Sequence, residues 1–183
     1  KHKDSRVSHG GAGLFVRNVL ALGGQVTFVT LLGDDEYAAE AENSSHPNLQ
    51  KVIFREKGRI TTVKERFWSG SHKLLCWDRL DNRPISSQTE EIIFSFVKEN
   101  LPAFDKLIVS DYRHGLISKE LANRLVRLAK ETDKPIYVDS QVAQNFGNHK
   151  WYVGANLFCL NEKEALSIDR EFNNASLEES LAR

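Results

Sequence analysis

The chain has 183 residues, 40% of them apolar and 27% charged, enough for one globular domain with a real hydrophobic core. Lys and Arg total 25 and Asp and Glu total 25, so no net field draws the chain to a phosphate backbone or an anionic membrane, and neither nucleic acid nor membrane is expected as a partner. No stretch is apolar for long enough to span a bilayer, the first ten residues are polar, and Cys76 and Cys159 form no CxxC pair, so a reducing, cytoplasmic setting without zinc or disulfides is expected.

Residue 1 is Lys and no methionine occurs, so the chain is expected to be a piece of a longer one. Omission of methionine positions is the other reading, and would shorten some spacings by one.

In chain order, the glycines at 10, 11 and 13 open a helix over residues 14–22, where Leu14, Phe15, Val19 and Leu22 recur at helical spacing before Gly23 and Gly24. Residues 25–32 are apolar and β-branched and predict a buried strand ended by Gly33, Asp34 and Asp35. Three short strands at 51–56, 59–68 and 73–79 predict an antiparallel meander, an excursion from the main sheet at about 50–80. From Ser86 the rhythm becomes helix 88–100, strand 106–110, helix 118–131, strand 135–139, then strand 156–160 and a helix from near Glu162. Such alternation implies parallel pairing, with ligands gathering beyond the carboxyl ends of the strands, where Asp111, Asp139 and Asn161 fall.

Small residues at 10–13 could bring backbone amides to an anion or polar ligand, or simply start a helix. A dinucleotide fingerprint needs a strand just before the glycines, whereas residues 1–9 are polar, which disfavours an oxidoreductase. Lys64 and Arg66, two apart on a strand, face one side and suit a phosphate or anionic sugar; the alternative is a solvated face balanced by Glu65 and Glu56. Asp111 could meet sugar hydroxyls or cap a turn. Asn161 and Glu164, three apart at a helix start, can aim at one point or form a capping box, and both can hold at once. Phe67, Trp68 and Trp77 are expected to pack the meander against the sheet or a second subunit.

Gly10, Gly11, Ala12 and Gly13, then Asn18, then Leu22 and Gly23, then a strand ending in Gly33, Asp34 and Asp35 together resemble the first signature of the PfkB sugar kinases: GGAxN, three residues, N, ALG, a strand and GDD. Thr61, Thr62, Val63, Lys64, Glu65 and Arg66 are similar to the TTxKxR strand of the heptose-phosphate kinase branch, and Asp78, Arg79 and Asp81 extend the match. Ser110, Asp111, Tyr112 and Gly115 resemble its SDYxxG, and Asn161 with Glu164 the family's NxxE.

The resemblance implies a ribokinase-like fold, a doubly wound, mainly parallel α/β sheet flanked by helices with a small antiparallel β lid. It implies one partial domain over 1–183, its first strand lying upstream of Lys1 and its ATP-binding part and catalytic GAGD aspartate lying beyond Arg183. The implied activity is ATP-dependent phosphorylation of a sugar or sugar phosphate, heptose-phosphate-like, with a non-catalytic sugar-binding relative as the alternative. By the same resemblance, Gly10, Gly11, Asn18, Thr62, Lys64, Arg66 and Asp111 would bind substrate, while Asn161 and Glu164 would organise Mg2+-bound phosphate with Glu164 nearest the metal. A homodimer through the lid is implied as well. Leu14 stands where the family has its first sugar-binding Asn, His114 where the branch has Lys, Ser140 and Gln141 where it has Pro and Lys, and Leu160 where Pro is common.

Overall fold

The first helix, α1 (Ala12–Ala21), starts where Gly11 takes a positive φ of 52° that an L side chain rarely adopts, and buries Val16 and Leu20, one turn apart. In the structure, a computed structural model describing residues 4–143 and 146–168, two compact units fall at Lys1–Asp81 and Asn82–Arg183.

In the first unit, α1 leads to strand β1 (Val26–Leu32), helix α2 (Glu36–Asn43) and strand β2 (Leu49–Arg55). β1 and β2 pair in parallel, from Val26 opposite Leu49 to Leu32 opposite Arg55. A hairpin of β3 (Val63–Ser69) and β4 (His72–Arg79) completes the unit, antiparallel, with a register shift between Phe67 and Trp68.

The three-stranded meander is therefore corrected. Its first expected strand belongs with β1, and the antiparallel part is the two-stranded hairpin alone. The cause is α2, which sequence reading passed over: parallel neighbours need a crossover, and a helix supplies it. The α2 sequence, EYAAEAEN, is rich in good helix formers, and Asp35, read as a strand stop, is its N-cap, accepting from Ala38 N at 3.1 Å. Lys51 on β2 finishes the helix, donating from Nζ to Ala41 O at 2.8 Å, to Glu42 O at 3.2 Å and to Ser44. Cations at a helix C-terminus satisfy its last carbonyls.

In the second unit, α3 (Ser87–Asn100), β5 (Leu107–Asp111), α4 (Lys119–Glu131) and β6 (Ile136–Ser140) alternate as expected. A two-residue ladder follows, β7 (Val142–Ala143) with β8 (Phe146–Gly147), then a 3-10 turn His149–Tyr152, β9 (Leu157–Cys159) and α5 (Glu162–Ile168). The sheet runs β5-β6-β9, all parallel. α4 is the best-formed amphipathic element: Leu121, Ala122, Leu125, Leu128 and Ala129 recur at three- and four-residue steps and are buried. Ser118 caps it by accepting from Leu121 N at 2.9 Å, as Ser86 caps α3 through Thr89 N at 3.1 Å. Val109, Ile136 and Val138 of the strands complete this core with Ile93 of α3 and Tyr152.

The expected architecture stands: parallel strands flanked by helices, with a small antiparallel element. Among the described residues no helix is long and apolar enough to cross a membrane.

Candidate functional site

At the carboxyl rim of the second unit's sheet, parallel register sets Ser110 of β5 beside Asp139 of β6, and Asp139 beside Cys159 of β9. Asp111, Asp139 and Asn161 thus share one edge, as the alternation predicted. Asn161 precedes α5 and accepts from Glu164 N at 3.1 Å through Oδ1; its own N donates to Glu164 Oε2 at 2.8 Å. This is the reciprocal capping box, and it fixes Glu164, which is 7% exposed, in one rotamer.

Burial pushes the Asp139 carboxyl above its ordinary range, and the Glu164 charge adds to the rise while His149 opposes it. Burial also raises the Tyr112 hydroxyl, with the Asp139 charge adding to it. At the rim the Glu164 charge thus acts on Asp139, and the Asp139 charge on the Tyr112 hydroxyl. An open depression of about 280 Å³ lies there, lined by Gln141, Asn161, Lys163 and Glu164.

Asp111 is engaged from within the protein. It is 4% exposed, and both its oxygens are engaged by the protein. Oδ1 accepts from Arg113 N at 2.8 Å, and Oδ2 from Tyr152 Oη at 3.0 Å and Ser140 Oγ at 3.4 Å. Of the two readings left open, the turn-capping one describes this geometry. Ser140 and Tyr152 are fully buried, and His149 Nε2 donates to Ser140 O at 2.6 Å. The polar brace of Ser140, His149 and Tyr152 beneath the rim was missed, because Asp111, to which it is tied, lies 29 positions from Ser140 and 41 from Tyr152 and shares no spacing signal with them.

In the first unit, Gly10, Gly11 and Asn18 lie at and along α1, Asn18 with its side chain exposed. Thr62 is exposed just before the hairpin. The hairpin has two unlike faces. Lys64 and Arg66 share one with Cys76 and Asp78, while Phe67, Leu75 and Trp77 share the other. Arg66 pairs with Asp78 and also donates to Glu65 O at 2.8 Å. The expected charge balance thus comes from Asp78 rather than Glu65 and Glu56, since Glu56 faces Arg59. Lys64 is exposed on the same charged face.

Behind the hairpin, Gly33 lets β1 end against residues 59–61: a Cβ there would lie 2.3 Å from Thr61 N. Gly33 N donates to Thr61 Oγ1 at 3.0 Å, and Thr61 N donates to Asp35 Oδ2 at 2.8 Å. For Asp35, burial works against ionisation, but the hydrogen bonds from Thr61 and Ala38 and the Arg79 charge outweigh it and hold the carboxyl below its ordinary value.

Likeness to solved structures settles the class. The chain superposes on a ribokinase from Giardia lamblia with a TM-score of 0.67 at 17% identity, covering 96% of this chain and 58% of that one. A carbohydrate kinase from Agrobacterium tumefaciens gives 0.66 at 18% identity, covering 93% and 56%. The fold is ribokinase-like. No family model matches the chain. In sequence it is similar to the bifunctional protein HldE of Paramagnetospirillum magneticum, 32% identical over 157 residues, covering 85% of this chain and 31% of that protein. HldE of Rhodopseudomonas palustris is 32% identical over 170 residues, covering 91% and 34%. The chain spans about a third of the length of the HldE relatives it matches.

Proposed function

We propose that the protein to which this chain belongs transfers the γ-phosphoryl of ATP to a hydroxyl of a sugar or sugar phosphate of the heptose-phosphate type, in the cytoplasm. The observation that carries this reading is the pair Asp139 and Glu164 at the carboxyl rim of a parallel sheet, the Glu164 charge near enough to help raise the Asp139 carboxyl. Such a pair fits a magnesium ion that keeps most of its waters and takes one or two carboxylates, and Lys163 beside it suits phosphate. Magnesium bound there would neutralise charge on the phosphates as the phosphoryl group moves.

The chain's own residues would do the rest by holding and screening. Asn161 keeps Glu164 in place through the capping box. The Asp111–Tyr152–Ser140 brace fixes the ends of β5 and β6. The charged face of the hairpin offers Lys64, Arg66 and Thr62 to an anionic acceptor, and the α1 start offers the amides at Gly10 and Gly11, with Asn18 one helical stretch on. By the family resemblance, the acceptor hydroxyl would lose its proton to the aspartate of a GAGD run.

ATP consumption by the full-length protein across a panel of sugar phosphates, heptose 7-phosphate included, tests the reading. Turnover with at least one is expected. Sugar binding without turnover would favour the non-catalytic relative, which the absent Asn at Leu14 keeps in view.

A further inference from the structure

Arg59 is among the most buried charged residues described, 5% exposed, and it sits at the root of the hairpin. Its Nε and Nη2 donate to Glu56 Oε2 at 3.2 and 3.0 Å, at the end of β2. Its Nη1 donates to Asp81 O at 3.3 Å and lies 3.8 Å from Asp81 Oδ1, on the chain leaving β4. One guanidinium therefore joins the leg entering the hairpin, the leg leaving it and the end of the parallel pair.

Backbone contacts reinforce the same point. Asp34 N donates to Arg59 O at 3.3 Å, and Thr61 is held by Gly33 and Asp35 as described above. On the exit leg, Arg79 lies over the Tyr37 ring of α2 at 4.9 Å from its centroid. Beyond these ties the arm is thin: β3 and β4 form a two-stranded sheet of their own among the described residues, and every residue on them is half-buried or exposed. A lone two-stranded hairpin is marginally stable, so its stance within this unit depends on its root.

We propose that Arg59 is a positioning residue, a buried buckle that fastens both roots of the β3–β4 hairpin to the end of β2, so that the arm carrying Lys64 and Arg66 is held at one stance. A guanidinium suits this because its planar fork reaches two carboxyl-bearing partners at once, which a lysine ammonium cannot do with fixed geometry. The consequence for an anionic acceptor rests on the kinase reading above; the mechanical role does not.

Amide hydrogen exchange of the full-length protein, read by segment, tests it with Arg59→Lys and, separately, Asp81→Ala. Arg59→Lys keeps a charge between Glu56 and Asp81 and so spares the fold. Exchange over residues 63–79 is expected to rise roughly tenfold in Arg59→Lys, the effect of losing one charge-assisted hydrogen bond, and by a smaller factor in Asp81→Ala, which removes the ion pair at 3.8 Å but keeps the carbonyl that Nη1 meets, while β1 and β2 amides stay protected. In steady-state assays the KM for the sugar phosphate is expected to rise several-fold at an unchanged KM for ATP. Unchanged exchange over 63–79, or equal acceleration in β1 and β2, would overturn the proposal, and so would KM values that rise together. Because exchange needs no turnover, a full-length protein that phosphorylates nothing counts against the kinase reading alone.

Discussion

Asp139 and Asp111 are both aspartates at the ends of neighbouring strands, yet the structure gives them opposite tasks. Asp111 is saturated by a backbone amide and two hydroxyl donors and acts as a brace. Asp139 is held partly dry beside a second carboxylate, and its ionised form is disfavoured. A carboxyl raised in the folded state binds a proton there that the unfolded chain has already released, so folding stability falls as pH rises from the ordinary value of 3.8 through the raised one. Asp139→Asn lacks this loss. The variant is therefore expected to gain stability relative to the parent at neutral pH and to gain nothing near about pH 4, measured as urea midpoints at the two pH values. A difference that does not change with pH would refute the assignment. Asp35 has the reverse sign: its depressed carboxyl contributes stability above the ordinary value, lost as pH falls through the lowered one.

Among the elements, α4 shows how far a pattern can be trusted. Its buried positions follow the helical period without exception, its cap is the Ser the sequence offers, and its expected and observed limits differ by one residue at the start. Leu125 is buried near the middle of that stripe, so Leu125→Ala is expected to cost about 2–5 kcal/mol by cavity formation, read from chemical denaturation of the purified chain. A cost below about 1 kcal/mol would mean that the stripe faces no packed core. Residues 49–55 show the opposite case. The sequence predicts a strand here, over 51–56, but in an antiparallel meander rather than beside β1, and the short helix that decides the matter carries a weaker apolar pattern than α4. Pairing is a property of the connection, which a strand's own residues do not encode.

For the molecule as a whole, the two-faced hairpin is the feature that asks for a partner. Its apolar face carries Phe67, Leu75 and Trp77, at 40%, 56% and 56% exposure, a patch that is costly to leave in water. The homodimer implied by the family resemblance would cover it. Trp77→Glu is expected to shift the full-length protein from dimer to monomer in sedimentation at micromolar concentration, while Lys64→Ala, on the charged face, leaves the association state alone. A monomeric parent would remove the dimer from the reading.

The sequence by itself determined the class of fold, because helical and strand periods, glycine stops and caps are local and the family's motifs lie in short runs. It placed Asp111, Asp139 and Asn161 at one sheet edge, since alternating helices and strands leave the carboxyl ends together. Tertiary structure alone decided that β2 joins β1, that Asp78 rather than Glu56 neutralises Arg66, that Asp111 turns inward to Tyr152, and that Arg59 ties the hairpin's legs. Each of these rests on a contact between residues far apart along the chain, where hydrogen-bond distance and burial, not spacing, select the partner.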